Sequence, residues 1–250
     1  MNTLSQNIKP IIEIKDLKKS YGDNHVLNGF NMVLNEGENL VIMGKSGSGK
    51  SVMIKCLIGL ESPDSGSITV MGQNISELNH SSLDDLRTEI GFLFQGSALY
   101  DSMTVRENLE FPLRRHTKKF GVLKDTTPLV MEALENVGLA HTLDLMPVEL
   151  SGGMKRRIAL ARTLILQPKI ILYDEPTTGL DPITAKEILL LMKSIQEKYN
   201  TSSVIITHDV DCARVISNRM ILLVEGINYA EGIFEELSKS IDPKIQAFFK

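Results

Sequence analysis

Apolar and polar residues alternate near the start of the chain, where Ile12 and Ile14 flank Glu13 and the segment from Val26 to Leu34 repeats the pattern. A period of two marks half-buried strands. Leu40 to Met43 is a short apolar run entering a glycine-rich turn, and a parallel α/β core is expected to begin there. Helical spacing follows at 81–88 and 104–115, and again from Leu129 to Val137 after a polar, lysine-rich connection at 116–127. Between about 96 and 162 strand signals nearly vanish, which predicts a helical subdomain inserted into the sheet. Strand, helix and strand then return as Ile170–Tyr173, a helix after Pro182, Val204–Thr207 and Met220–Val224. The helix after Pro182 starts with Asp181 as N-cap and Pro182 in the first turn, and its apolar positions 185, 188, 189, 192 and 195 form one stripe.

Composition narrows the class. In 250 residues, 42 % are apolar and 23 % charged, the balance of an ordinary globular protein, so disorder and fibrous structure are excluded. The net charge of −4 gives no global electrostatic reason to bind nucleic acid or an anionic bilayer. No apolar run approaches the roughly 18 residues that cross a bilayer, and charges interrupt MNTLSQNIKPIIEIKDLKK before a signal-peptide core forms. Cys56 and Cys212 are lone cysteines without CxxC spacing, which suits a reducing cytoplasm and argues against a disulfide framework or zinc site.

Three segments carry chemistry. Gly44-Lys45-Ser46-Gly47-Ser48-Gly49-Lys50-Ser51 fits GxxxxGK[ST] and lies between a predicted strand and a predicted helix, where that motif works. Its glycines let backbone N–H groups wrap phosphate oxygens, the helix N-terminus adds a favourable dipole, Lys50 would reach the β and γ phosphates, and the Ser51 hydroxyl would coordinate Mg²⁺. Ile170-Ile171-Leu172-Tyr173-Asp174-Glu175 is a buried-strand run ending in two carboxylates. Beside a phosphate loop, Asp174 can hold Mg²⁺ through water while Glu175 polarises an attacking water, which implies hydrolysis rather than binding alone. Leu150-Ser151-Gly152-Gly153-Met154 opens a further helix, with Ser151 as N-cap and the glycine N–H groups making a second anion-binding terminus. Lys155, Arg156, Arg157 and Arg162 on that helix read as a solvated face rather than a nucleic-acid patch.

With both phosphate devices in one chain, the sequence resembles the nucleotide-binding subunits of ABC transporters over residues 11 to 235. The resemblance implies an α/β P-loop NTPase fold: a RecA-like core, an antiparallel β subdomain, and a helical subdomain at about 96–162, all within 1–235, followed by a tail at 236–250. It also implies ATP and Mg²⁺ as ligands, and a head-to-tail dimer in which Ser151, Gly152 and Gly153 of one copy close on ATP held by the other. Tyr21 resembles the aromatic that stacks on adenine, and Gln95 in Leu93-Phe94-Gln95 the glutamine that senses Mg²⁺ and water. Leu180-Asp181 resembles the segment crossing the dimer interface, and His208 in Thr207-His208-Asp209 the switch histidine on the γ-phosphate.

Met154 departs from the commonest signature, which has Gln there, and resembles one subgroup: the ATPases of MCE-type lipid transporters, including the Mla phospholipid system of Gram-negative envelopes. The run Phe92 to Val105, Glu107-Asn108, Phe111-Pro112-Leu113, Cys212-Ala213 and the ending Asp242-Pro243 before Phe248 look like that subgroup too. This implies phospholipid transport between inner and outer membrane, in maintenance of outer-membrane lipid asymmetry. The chain would sit peripherally on the cytoplasmic face of the inner membrane, with a permease, an MCE-domain lipid-binding protein and a small regulatory subunit as partners, and no nucleic acid. The competing readings are the motor of another permease, for lipoprotein release or amino-acid import, and a soluble non-transport ABC protein. Leu99, Tyr100, Met103 and Phe111, followed by Arg114, Arg115, Lys118 and Lys119, read either as a face for a permease helix or as the subdomain's own core and surface. The spacing of Ile241, Ile245, Phe248 and Phe249 predicts one short amphipathic helix that must dock on its own domain, a second copy or a regulatory subunit.

Overall fold

In the computed structural model, which describes residues 10–116, 119, 121 and 124–249, the strand patterns resolve into two sheets. β1 (Pro10–Tyr21) and β2 (Asn24–Asn35) pair antiparallel, and β4 (Ser65–Val70) and the short β5 (Gln73–Asn74) extend them in the order β2-β1-β4-β5. The alternation expected at Ile12 and Ile14 is real: both are buried, with Glu13 between them partly solvated. The second sheet runs β10-β9-β3-β8-β7-β6, built from β3 (Asn39–Met43), β6 (Ile90–Leu93), β7 (Ile170–Asp174), β8 (Ser202–Thr207), β9 (Arg219–Val224) and β10 (Ile227–Gly232). Its pairings from β9 through β6 are parallel, and only β10 lies antiparallel, at the edge.

The central strands are buried on both faces, which is why β3 and β7 read as continuous apolar runs. Even and odd positions feed different cores. Leu40, Ile42, Leu172 and Ile206 pack toward the antiparallel sheet with Ile12 and Phe30, together with α1 (Lys50–Leu57), and α2 (His80–Arg87) joins the same cluster. Val41, Met43, Ile171 and Ile205 pack on the opposite face against α6 (Pro182–Tyr199) and α7 (Val210–Ile216). Of the expected stripe on α6, Ile188, Leu189, Met192 and Ile195 are buried and Ala185 is half-buried. A third cluster belongs to α3 (Val105–Arg115), α4 (Thr127–Asn136) and α5 (Gly152–Leu164), where Leu109, Val130, Leu134 and Ile158 meet. Between Leu93 and Ile170 the described residues hold no strand. A capping box fixes the start of α3: Thr104 Oγ1 accepts from Glu107 N at 3.2 Å and Thr104 N donates to Glu107 Oε2 at 2.8 Å.

Two sequence expectations change, and one open reading narrows. The basic residues of α5 do not form a solvated face. Arg156 is buried, Arg157 is ion-paired with Glu187 at 2.7 Å, and Arg162 donates to the carbonyls of Ser97 and Ala98, because the face they occupy is covered by the 94–100 loop and by α6. The segment after Gln95 is partly its own core: Leu99 packs on two of the apolar clusters and the Tyr100 ring lies 4.9 Å from that of Phe111. Arg114 pairs with Glu110 and Lys119 with Glu89 at 2.8 Å, while Lys118 lies outside the described residues. Finally, Ile241 is not on the tail helix. Asp242 caps α9 (Pro243–Gln246) and Pro243 begins it, which leaves Ile241 ahead of the helix and 93 % exposed, with Phe248 and Phe249 in the turn beyond its end.

The tail nonetheless docks on its own domain. Phe249 meets Phe234 of α8 (Phe234–Leu237) edge-on at 5.5 Å, Ile245 and Phe248 pack on the same cluster, and the Tyr229 hydroxyl donates to Asp242 Oδ2 at 2.8 Å. Deleting residues 241–250 is therefore expected to lower the unfolding free energy by about 1–3 kcal/mol, the scale of uncovering one or two large apolar side chains. Urea titration checks this, and an unchanged midpoint would show the tail to be idle.

Candidate functional site

Parallel pairing brings the C-terminal ends of β3, β7 and β8 to one edge, with Met43 opposite Thr207 and Asp174 opposite Ile206. The chain leaving β3 forms the glycine loop and enters α1. Gly47 and Gly49 take φ of +78° and +104°, and a Cβ at Gly49 would stand 2.9 Å from the Val26 carbonyl oxygen, so the loop needs glycine there for both conformation and space. Lys50 Nζ, buried, donates to the carbonyls of Gly44 at 2.6 Å and Lys45 at 3.1 Å. Burial pulls the Lys50 ammonium below its ordinary pKa, while the carboxylates of Glu175 and Asp174 act against that. The Ser48 hydroxyl is buried with no hydrogen-bond partner among the described residues, a polar atom left over inside the loop.

Across from the loop, burial and the neighbouring Glu175 carboxylate raise the Asp174 carboxyl above the usual aspartate value, opposed by Lys50. Glu175 itself is buried and sits in the left-handed region at φ +50°, held there as its N–H donates to Ile206 O at 2.9 Å. Its Oε1 is 2.8 Å from His208 Nδ1, and its Oε2 accepts from Thr178 Oγ1 at 3.2 Å and Thr207 Oγ1 at 3.4 Å. A cleft of about 620 Å³ lies between these groups, and Lys45, Ser46, Gly47, Gly49, Lys50, Ser51, Gln95, Asp174, Glu175 and His208 all face it. Val26 forms part of its wall, with Thr178 and Thr207 behind Glu175. Sequence analysis gave these three no role: Val26 lies far from the motifs in the chain, while Thr178 and Thr207 stand close to Glu175 and His208 without a pattern that assigns their hydroxyls.

Other expected residues stand outside the cleft. Tyr21 ends β1 with its ring 46 % exposed; its hydroxyl donates to Glu61 Oε1 at 2.7 Å, which pushes its pKa up to about 12. Ser151 caps α5, its Oγ accepting from Met154 N at 3.2 Å, with Gly152 and Gly153 exposed or half-buried beside it. Asp181 caps α6 by accepting from the N–H groups of Ile183 and Thr184. Neither helix start faces the cleft of the same chain.

The donors suit phosphate and a hard cation. Backbone N–H groups, an ammonium and the spare Ser48 hydroxyl answer phosphate oxygens. Ser51, Gln95 and Asp174 supply a hydroxyl, an amide and one carboxylate, an all-oxygen set too small to enclose a metal alone, as Mg²⁺ is bound when substrate phosphates complete its shell. In agreement, the described residues contain no cluster of His, Cys, Asp and Glu that could hold a metal by itself.

Residues 27–178 match the model of the ABC transporter family. The chain belongs to that family. It is 40 % identical over 237 residues to the probable ribonucleotide transport ATP-binding protein mkl of Mycobacterium leprae, covering 95 % of this chain and 68 % of that protein. It is also 40 % identical over 224 residues to the methionine import ATP-binding protein MetN of Brucella abortus, covering 89 % of this chain and 60 % of that protein. Both relatives are therefore longer than the chain. Among solved structures, a dimeric ATP-binding cassette, MJ0796, in a post-hydrolysis state with ADP and Pi superposes with a TM-score of 0.80 at 33 % identity, over 89 % of this chain and 98 % of that one. The cbiO1 protein of Clostridium perfringens, part of the transporter complex cbiONQ, gives 0.82 at 29 % identity, over 91 % and 90 %. The fold is that of the ABC ATPase cassette, and the domain is an ATPase that uses ATP with Mg²⁺.

Because a methyl group at Gly49 would meet the Val26 carbonyl at a φ that only glycine adopts freely, Gly49→Ala is expected to weaken ATP binding at least tenfold. Equilibrium titration with a fluorescent ATP analogue checks this, and binding within twofold of the parent would show that the loop tolerates the shift.

Proposed function

We propose that the chain is the ATP-hydrolysing subunit of an ABC transporter complex, with two shared sites in a head-to-tail dimer. The observation that carries the hydrolytic reading is the Glu175 carboxylate, buried on the wall of the phosphate cleft and held by His208 at 2.8 Å. In this reading the N–H groups of residues 44–49 and Lys50 bind the β and γ phosphates, and the Tyr21 ring stacks on adenine. Ser51, Gln95 and Asp174 hold Mg²⁺, which when bound neutralises charge on the phosphate oxygens. Glu175 accepts a proton from the water that attacks the γ-phosphorus, and the leaving β-phosphate oxygen departs with ADP. His208 orients Glu175 and reaches the γ-phosphate.

Ser151, Gly152 and Gly153 do not line the phosphate cleft of their own chain, which supports their service to a second copy, with Asp181 at the seam. The dimeric state of MJ0796 and the membership of cbiO1 in a transporter complex lend the same support. No helix among the described residues is long and apolar enough to cross a membrane, and in this reading an integral-membrane permease carries the substrate. Glu175→Gln is expected to lower turnover by about 10² to 10⁴, the span of a general base, while ATP binding persists. Single-turnover hydrolysis and nucleotide titration on the same sample test it, and turnover at the parent rate would remove Glu175 from the mechanism.

The substrate reading we favour is phospholipid, moved between inner and outer membrane to maintain outer-membrane lipid asymmetry, with the chain on the cytoplasmic face of the inner membrane. Its support is Met154 in the signature together with the Phe92–Val105 run, both similar to the ATPases that work with MCE-domain lipid-binding proteins. A regulatory subunit belongs to the same reading, and nucleic acid has no place in it. Likeness to a methionine importer's ATPase favours a second reading, import of a small amino acid. Affinity purification of the chain with its membrane partners, followed by mass spectrometry, separates them. Co-purified phospholipid with an MCE-domain protein is expected; a complex whose ATPase responds to an amino acid and carries no such protein would replace the first reading with the second.

A further inference from the structure

Arg156 lies in the early turns of α5, just beyond the Ser151 cap, with 4 % of its surface exposed and no carboxylate partner among the described residues. Two backbone carbonyls take its place: Nη1 donates to Phe94 O at 2.7 Å and Nη2 to Thr178 O at 3.4 Å, while Nε is buried without an acceptor. An unpaired guanidinium in the interior is costly, and burial alone pulls its pKa below the ordinary arginine value. Such a group is informative for what it touches. Phe94 is the residue before Gln95, whose side chain faces the cleft. Thr178 supplies the hydroxyl that donates to Glu175 Oε2 at 3.2 Å. One planar cation thus joins the signature helix, the backbone that carries Gln95, and the residue that steadies Glu175.

We propose that Arg156 is a positioning residue for hydrolysis, fixing Gln95 and Glu175 in mutual register and tying both to the Ser151 helix. The inference rests on the roles given above to Gln95 and Glu175. Geometry favours arginine specifically. The guanidinium fork presents separate N–H groups to two carbonyls in a fixed plane, whereas a lysine ammonium is a compact point charge on a flexible stem and does not keep that planar two-point geometry. Removing either hydrogen bond leaves a carbonyl near the cleft to relax, and displacement of a reacting group by about 1 Å costs on the order of 10²-fold in rate. ATP itself is not touched by Arg156, so the effect falls on turnover and on the response to Mg²⁺ rather than on nucleotide affinity.

The test compares Arg156→Lys, Arg156→Gln and Arg157→Lys in the full chain, with thermal melts to establish folding and Glu175→Gln alongside. Arg156→Lys is expected to lower kcat about 10- to 100-fold, leave the KM for ATP within about twofold of the parent, and raise the Mg²⁺ concentration for half-maximal rate. Arg157→Lys, at the neighbouring arginine that pairs with Glu187 and donates to the Val137 carbonyl, is expected to keep the parent kcat. Thr178→Ala in the Arg156→Lys background is expected to cost less than it does alone, since the two act through one path. Should Arg156→Gln fail to fold, Arg156→Lys decides alone. Parent-like kcat in a folded Arg156→Lys protein, or a raised KM with kcat unchanged, overturns the inference. If Glu175→Gln also turned over at the parent rate, the hydrolytic assignment itself would fall; if Glu175→Gln is inactive, only the role of Arg156 does.

Discussion

Parallel pairing in one register, with Met43 beside Thr207 and Asp174 beside Ile206, is the constraint from which the rest of the site follows. Strands in parallel must end together, so the loop after β3, the carboxylates after β7 and the histidine after β8 are delivered to one edge without any of them touching in sequence. A slip of one residue in β7 would turn Asp174 and the backbone of Glu175 to the opposite face, because side chains alternate with a period of two. That register is itself held by burial on both faces: Leu172 and Ile206 serve one core while Ile171 and Ile205 serve the other, so no strand can shift without exchanging its apolar contents between two filled interiors. Core packing and active-site geometry are in this sense a single specification.

The cleft concentrates opposing electrostatic demands in a small space. Lys50 is pulled toward neutrality by burial and kept cationic by two acids, while Asp174 is pushed toward protonation by burial and by Glu175 and held back by Lys50. Lys50 and Asp174 each favour charge on the other, whereas Glu175 favours it on Lys50 and opposes it on Asp174, and all lie beside the glycine loop. Such a set is complete only when a polyanion and its counter-cation enter, which places the affinity for nucleotide in the assembly of the site rather than in any one contact.

Much of this was legible in the chain because the signals were local. The alternation around Ile12, the apolar run of β7, the GxxxxGK[ST] loop and the caps Ser151 and Asp181 each declare themselves within a few residues. The strands β4 and β10 escaped because Ser65, Gly66 and Ser67 in one, and Asn228, Glu231 and Gly232 in the other, dilute the apolar pattern. Arg156 was misread for a different reason: an arginine in a basic helix looks solvated until the fold lays a loop and its carbonyls over it. The wall provided by Val26 and the Thr207 hydroxyl on Glu175 required long-range contacts that no window of sequence contains, while the Thr178 hydroxyl reaches Glu175 across only three residues. The tail fell between, since its apolar residues were visible but Pro243 set where its helix begins.

The left-handed backbone at Glu175 sets stability and chemistry at odds in one residue. An L-amino acid held at φ +50° costs on the order of 1 kcal/mol or more, a burden that glycine would not carry and that asparagine would carry more easily. Selection for backbone ease alone would therefore favour replacing this carboxylate, as at the other non-glycine residues with positive φ. A hardened form of the protein with glycine or asparagine at this position would be a cassette that folds better and has lost its acid at the phosphate cleft, so any engineering of this scaffold has to treat residue 175 as outside the search.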